Sequence, residues 1–411
     1  MIKFVVMLLN LKSITSSNIQ EVKCLMDLNE CFIDGSFLGN STALLNITGP
    51  KVNYYELHLS NFEYLQTSQF AESIKATELK IENSIIDINS NLERIDNKVR
   101  SINIKNCSLS IYSLKNFKSL QDLKMKKVKI NKISPTAFAG LNNISYFELN
   151  DAKLTLGLIL SLKHLESVSI FSFTKCGITN KIFSEVLQNL KSPESLSFTL
   201  NSIKSIKCDE VSRLEMFSLS INSNQLFGIF PTCGVPVVDV SENKIDTLFI
   251  QSGTTTVNAS MNVISDIRCD KFVNLLFLNV AGNLLSDLMC VAGISTLEDL
   301  NINSNKFKVF GSLSFNKMTS LKAISILDNP IKFISPSLFA SVTESLIMKI
   351  SVDRFDAGYD KLTTFYPHLY EVTHNEINGT CDDYDKVVEA LKSQNISLFL
   401  LKSSACIKKV P

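Results

Sequence analysis

The chain has no tryptophan and, in 411 residues, only four histidines, 14 glycines and nine prolines. Few Trp, Gly and Pro beside many Asn, Lys and Ile read as codon bias and exclude no fold. The other absences say more. None of His58, His164, His368 and His374 stands at metal-ligand spacing from a cysteine or carboxylate, so the sequence points to no metal centre. Lysine and arginine total 41 against 40 acidic residues, a net charge of +1. Phosphate neutralisation needs a basic excess, so a nucleic-acid binder driven by bulk charge is not expected. There is no glycine-rich phosphate loop and no G-x-S-x-G elbow, which removes the usual signs of an enzyme or a nucleotide cofactor. Beyond the amino terminus no apolar run approaches the roughly 20 residues of a membrane helix. "NISLFLLKSSAC" is too short for an anchor.

What is present begins with "MIKFVVMLLNLKSITSSN", where Lys3, an apolar run from Phe4 to Leu9 and small polar residues to Ser17 follow the order of a signal peptide. Cleavage is expected near Ser16 to Asn18. Seven Asn-x-Ser/Thr acceptors, at Asn40, Asn46, Asn106, Asn143, Asn258, Asn378 and Asn395, agree with a secreted, extracellular protein.

A repeated asparagine organises the rest. "DVSENKIDTL", "NASMNVISDI", "NVAGNLLSDL", "NINSNKFKVF" and "SILDNPIKFI" all carry it in fifth place. Around it runs a template: apolar at the start and at plus three, plus five and plus ten, with Asn at plus eight. Leu297, Leu300, Ile302, Asn305 and Phe307 fit it, as do Leu275, Leu278, Val280, Asn283 and Leu285. Spacing of two predicts a short strand, and a period near 22 residues predicts one coil of a solenoid. This is L-x-x-L-x-L-x-x-N-x-L, the leucine-rich repeat. Thirteen starts keep phase: Tyr54, Ala76, Val99, Leu120, Ile144, Val168, Pro193, Met216, Val235, Thr254, Leu275, Leu297 and Leu321. The expected fold is an α/β repeat, a right-handed leucine-rich repeat solenoid (horseshoe) with a parallel concave sheet and disulfide-closed caps. Its divisions are a signal peptide (1–17), an N-terminal cap (18–53), about 13 repeats (54–345), and a degenerate last repeat with a C-terminal cap (346–411).

After each strand the chain turns inward and its backbone groups face the core, where an unpaired one costs roughly 1 to 3 kcal/mol. An inward Asn offers both a carbonyl and an amide, so Asn201, Asn224, Asn243, Asn262, Asn283, Asn305 and Asn329 should form a ladder. The first six repeats put Phe62, Ser84, Cys107, Val128, Ala152 and Cys176 there instead, which predicts a less regular amino-terminal half. Phe138 of "ISPTAFAGL" and Phe339 of "ISPSLFASV" should fill the convex side.

Open ends of a solenoid need covers. "CLMDLNEC", with Cys24 and Cys31 closing a small loop, reads as the front cover, and Cys381 and Cys406 bracket a helix from about Asp382 and a short strand at the back. Cys269 and Cys290 each lie fifteen residues after a repeat start, hence at equivalent places on adjacent coils, within disulfide reach. Cys208 and Cys233 also sit on adjacent coils. Cys107 and Cys176 point inward three coils apart and should be inert thiols.

With no long loop to hold a catalytic lid, function should reside on the concave strand residues at plus two, four, six and seven. These give Lys80, Lys105, Lys124, Lys126, Lys127 and Glu148 as a charged candidate surface for a protein partner, and later an uncharged strip with Phe277 as one exposed ring.

The signal peptide, the Asn- or Cys-bearing coils and the closing segment "NGTCDDYDKVVEALKSQNISL" resemble the leucine-rich repeat immune proteins of mosquitoes, which circulate in haemolymph. With five residues after Cys406, the resemblance would be to the coil-less type. The resemblance implies a soluble innate-immune recognition factor whose partner is a complement-like thioester protein or another leucine-rich repeat protein. The alternative is an adhesion, receptor-type or inhibitor module of the same fold, without an immune role. No cofactor, no nucleic acid and no membrane span are expected.

Overall fold

The computed structural model describes residues 30–37, 54–66, 76–88, 98–288, 290–310, 315 and 317–331. It also gives the backbone of the strands Ile19–Lys23, Leu25–Asp27, Leu44–Thr48, Phe333–Ile334, Leu346–Ile350, Leu369–His374 and Ser397–Leu400. The chain forms a parallel leucine-rich repeat solenoid whose contacts divide it into two units. These are Met1–Ser202 with Arg213–Met216, and Ile203–Ser212 with Phe217–Pro411.

In the first unit, parallel strands pair in chain order: Glu30–Asp34, Tyr54–Ser60, Ala76–Glu82, Ser101–Lys105, Asp122–Lys126, Tyr146–Asn150, Ile170–Thr174 and Ser195–Ser197. Equal template positions pair, so Leu57, Leu79, Ile102, Leu123, Phe147, Phe171 and Leu196 form one buried column. In the second unit Ser218–Ser220, Val237–Asp239, Thr256–Asn258, Phe277–Asn279, Asp299–Asn301 and Ala323–Ile326 do the same. The strands Leu346–Ile350, Leu369–His374 and Ser397–Leu400 extend that sheet. Alternating apolar residues produce these strands because every inward side chain lands on its equivalent one coil away.

Two wider coils of the first unit carry helices. Thr155 caps Leu156–Leu162 by accepting from the Leu158 N–H at 3.4 Å, and Asn180–Asn189 buries Phe183, Val186 and Leu187. Rings fill the added width: Phe147 lies 5.8 Å from Phe138 and 5.7 Å from Phe171, and Phe198 lies 4.8 Å from Phe183. Phe138 is fully buried, and Phe339 lies outside the described residues.

The asparagine ladder of the second unit has one repeated wiring. Asn283 Oδ1 accepts the N–H of Ile264 at 2.9 Å, two places beyond the ladder position of the coil before. Its Nδ2 donates to Ala259 O of that coil at 3.0 Å and to Val280 O of its own at 2.9 Å. Asn243, Asn262, Asn305 and Asn329 repeat these bonds. In the first unit Asn201 does the same for Cys176, Ile178 and Phe173.

Among the described residues of the amino-terminal half, two coils widen to carry helices while the sheet strands run five to seven residues before the last of the unit, against mostly three in the second unit. Cysteine and serine side chains do part of the missing asparagines' work. Cysteine supplies the donor half: Cys176 Sγ bonds Leu149 O at 3.2 Å and Thr174 O at 3.3 Å, and Cys107 Sγ bonds Lys105 O at 3.2 Å. A second parallel sheet of Leu65–Gln66, Ile85–Ile88, Ser108–Ile111 and Lys129–Ile133 pairs the backbone beyond the ladder position, as a sheet of Phe227–Pro231, Lys244–Ile250 and Asp266–Cys269 does in the second unit. Ser84 adds its hydroxyl, accepting the Phe62 N–H at 3.0 Å and donating to Glu82 O at 2.7 Å.

The turn itself rests on a position the template does not specify. Asn61, Asn83, Asn106, Lys127, Asp151, Lys175, Leu200, Ser223, Glu242, Met261, Gly282, Ser304 and Asp328, all at plus seven, have φ between 51° and 68°. Their N–H groups carry the ladder one bond further, as Lys127 N to Asn150 O at 2.8 Å and Met261 N to Ala281 O at 2.7 Å. Left-handed backbone is unfavourable for residues with a Cβ, and here its repetition across coils maintains it.

Both disulfides expected from repeat phase are present, Cys208–Cys233 with Cα atoms 5.0 Å apart and Cys269–Cys290 at 5.8 Å. Cys107 and Cys176 are buried free thiols. Burial pushes the Cys176 thiol up to about 12 and that of Cys107 also upward. Cys31 is disulfide-bonded, while Cys24, Cys381, Cys406 and the back-cap helix lie outside the described residues, as does the proposed signal peptide up to Ser17.

Candidate functional site

On the sheet face of the first unit, side chains at plus two, four and six stand in rows because the strands pair in register. At one end Glu30 adjoins Glu56, and Phe32 adjoins His58. Glu56 is 6% exposed, and His58 Nε2 and Lys80 Nζ both contact its Oε1. The His58 ring stacks on Phe32 with centroids 4.5 Å apart. Burial, joined by the charge of Lys80, lowers the His58 pKa despite Glu56 and Glu30. Burial also opposes the Lys80 charge, but its hydrogen bond to Glu56 and the charges of Glu78, Glu56 and Glu30 raise its pKa.

Further along, the lysines differ in what holds them. Lys80 is half-buried among carboxylates, and Lys105 Nζ lies 3.5 Å from Glu82 Oε1. Lys124 Nζ sits 5.1 Å from the Tyr146 ring centroid, a cation–π arrangement. Glu148, beside Lys124 in register, accepts from Tyr146 Oη and from Asn150 Nδ2, both at 3.4 Å. Burial first, then Glu148, raises the Tyr146 pKa. Lys126 is exposed, between Lys105 and Asn150 in register, with no ion pair among the described residues. Lys105, Lys124 and Lys126 are thus brought together on adjacent strands.

One placement read from sequence is corrected: Lys127 is a turn residue with φ 52°, beyond the strand that ends at Lys126, so it borders the face without standing in its rows. Phe277 stands on the sheet face between Thr256 and Asp299, its neighbours in register, and is half-buried where an exposed ring was expected. The nearly uncharged strip of the second unit, which includes Asp239 and Asp299, also has internal work. Oδ1 of Asp239, Asn258, Asn279 and Asn301 accepts the N–H two residues on, at 3.0 to 3.3 Å. This second Asx column, at plus four, was readable only as a polar face.

Among the glycosylation acceptors, Asn106 and Asn143 are exposed, with Nδ2 donating to Asn83 Oδ1 at 2.7 Å and Lys118 O at 2.8 Å. Asn258 Oδ1 also accepts the hydroxyl of Ser260, its own acceptor-motif serine, at 2.9 Å. Asn46 lies in a strand described by backbone alone, and Asn40, Asn378 and Asn395 lie outside the described residues.

Sequence reasoning missed one grouping: ligand atoms of Glu30, Glu56 and His58 lie within 4.8 Å of one another. Glu-x-His on a strand puts both side chains on one face, and the third residue comes from the neighbouring strand, so linear spacing hides it.

No family model matches the chain, and no curated protein matches it in sequence. Solved structures resemble it in fold. A Leptospira interrogans leucine-rich repeat protein aligns over 80% of this chain and 91% of its own, at 14% identity and TM-score 0.50. The LRIM1/APL1C complex aligns over 86% of this chain and 59% of that one, at 17% identity and TM-score 0.49. Internalin inlF of Listeria monocytogenes gives 78%, 86%, 16% and 0.45. The likeness shows a leucine-rich repeat solenoid. Among the described residues no helix is long and apolar enough to cross a membrane.

Proposed function

We propose that the chain is a secreted leucine-rich repeat protein that binds another protein through the charged sheet face of its first unit, as a soluble recognition factor of insect innate immunity. One observation carries the binding surface: Lys105, Lys124 and Lys126 stand together on adjacent strands, whose register fixes the spacing of their backbones. Of the three, Lys126 has no ion pair among the described residues and is the open cation for an acidic partner surface. The disulfides Cys208–Cys233 and Cys269–Cys290 suit an oxidising compartment and so support secretion. The immune assignment rests on the closing-segment resemblance; a complement-like thioester protein or another leucine-rich repeat protein is the partner it implies. A glycan on Asn258 would cover the neighbouring uncharged face and leave the lysine rows as the open surface.

The test is quantitative binding of partners captured from the native body fluid, using the secreted chain and two variants. Reversing Lys124 and Lys126 to Glu should weaken binding at least tenfold, with a steep salt dependence in the wild type. Phe277→Ala should leave binding unchanged. Loss in Phe277→Ala with full binding in the reversed variant would move the site to the second unit. Capture of only adhesion or receptor proteins would favour the non-immune reading.

A further inference from the structure

We infer that Glu30, Glu56 and His58 form a binding site for a single divalent transition-metal ion of the zinc class, at the end of the first unit's sheet face. The donor set is one imidazole nitrogen and two carboxylates, borderline and hard ligands together, which suits zinc and leaves a fourth position open. The three donor atoms already lie within 4.8 Å of one another. Around a tetrahedral ion with bonds near 2.0 to 2.2 Å, donors stand about 3.3 to 3.6 Å apart, so an entering ion parts His58 Nε2 from the Glu56 Oε1 it now contacts while the half-buried Glu30 rotates to complete the set.

Geometry supports the site in two further ways. His58 and Glu56 sit two residues apart on the strand Tyr54–Ser60, and Glu30 is paired with Glu56 in register, so two backbones hold all three donors. Stacking on Phe32 fixes the imidazole plane. Charge also favours a cation. Glu30, Glu56, Glu78 and Glu82 face Lys80 and Lys105, leaving a negative excess beside a carboxylate that is almost fully buried.

Lys80 is the competitor. Its ammonium contacts Glu56 and lies 4.0 Å from Glu78 Oε1, so it stands where the ion would neutralise Glu56. Ion binding displaces it toward Glu78. This sets the site apart from a passive ion-pair cluster: removing Lys80 would weaken such a cluster but should strengthen metal binding.

The experiment is calorimetric titration of the full-length secreted chain with zinc, beside calcium, after chelator treatment. One zinc per chain is expected, with calcium far weaker. Affinity should fall about 100-fold or more in His58→Ala and by about tenfold or more in Glu30→Gln, and rise about tenfold in Lys80→Met. Circular dichroism identifies variants that fail to fold; Glu30→Gln, on a half-buried side chain, is the variant expected to fold regardless. No zinc binding by the wild type, equal affinity in folded His58→Ala, or unchanged affinity in Lys80→Met would each overturn the assignment.

Discussion

Replacing Asn283 by alanine isolates what a ladder asparagine does. The side chain is 3% exposed, and its Oδ1 accepts the buried Ile264 N–H at 2.9 Å. Its donor bonds are partly redundant. Ala259 O also accepts from Asn262 at 3.1 Å, and Val280 O also accepts from Asn305 at 2.9 Å. Ala281 O, which accepts from Asn283 at 3.3 Å, also accepts from the Met261 N–H at 2.7 Å, so alanine leaves one N–H stranded and removes three further bonds from carbonyls that keep another partner. The stranded group costs roughly 1 to 3 kcal/mol and the lost bonds about 1 more, so destabilisation should be about 2 to 4 kcal/mol. Asn283→Cys should restore the donor half, as Cys176 does, and recover about 1 kcal/mol of that. The assay is amide hydrogen exchange at Ile264 together with urea unfolding, because nearest-neighbour coupling makes a single global midpoint incomplete. An opening free energy lowered by about 2 kcal/mol would speed Ile264 exchange roughly 30-fold. Unchanged protection at Ile264 in Asn283→Ala would refute the wiring described above.

Two other outcomes follow from the cysteines. Because the folded Cys176 thiol titrates at about 12, above its ordinary value of 9.0, the unfolded chain loses this proton first as pH rises. The stabilisation is complete below pH 9 and disappears toward pH 12, so unfolding free energy should fall more steeply across that window in the wild type than in Cys176→Ala; parallel curves would contradict the burial of this group. Removing the Cys269–Cys290 bridge, which closes a separation of 21 residues, should destabilise the second unit by about 3 kcal/mol. A double Cys→Ser variant with an unchanged urea transition would show that the crosslink constrains little.

The fold was legible because its signal repeats. Any single Leu300-x-Ile302 could belong to many folds, but equal offsets recurring from Tyr54 to Leu321 require equivalent residues to stack. The asparagine column and the two phase-matched disulfides follow from the same stacking. The second sheet was not legible, because its strands, such as Ile85–Ile88, Ser108–Ile111 and Lys244–Ile250, follow the template positions. Nor was the left-handed plus-seven column: Lys127, Glu242 and Met261 are poor left-handed formers, and the inter-coil bond that each N–H makes holds their conformation.

The sheet face was less legible than the core for a physical reason. Inward positions answer to one demand, packing against the same position one coil away, so their residue types are narrow and periodic. Outward positions answer to neighbours that differ from coil to coil. Lys80 and Lys126 looked alike in sequence, yet Lys80 is held by Glu56 across its strand while Lys126 faces Lys105 and Asn150. What separates them is the residue on the next strand, about twenty positions away, and only the register supplies it. The same holds for Glu30, Glu56 and His58, whose spacing along the chain matches no metal motif. In a solenoid, a polar site should be sought by reading across equal template positions, because the sheet converts a period of one coil into a strand-to-strand separation of about 4.8 Å.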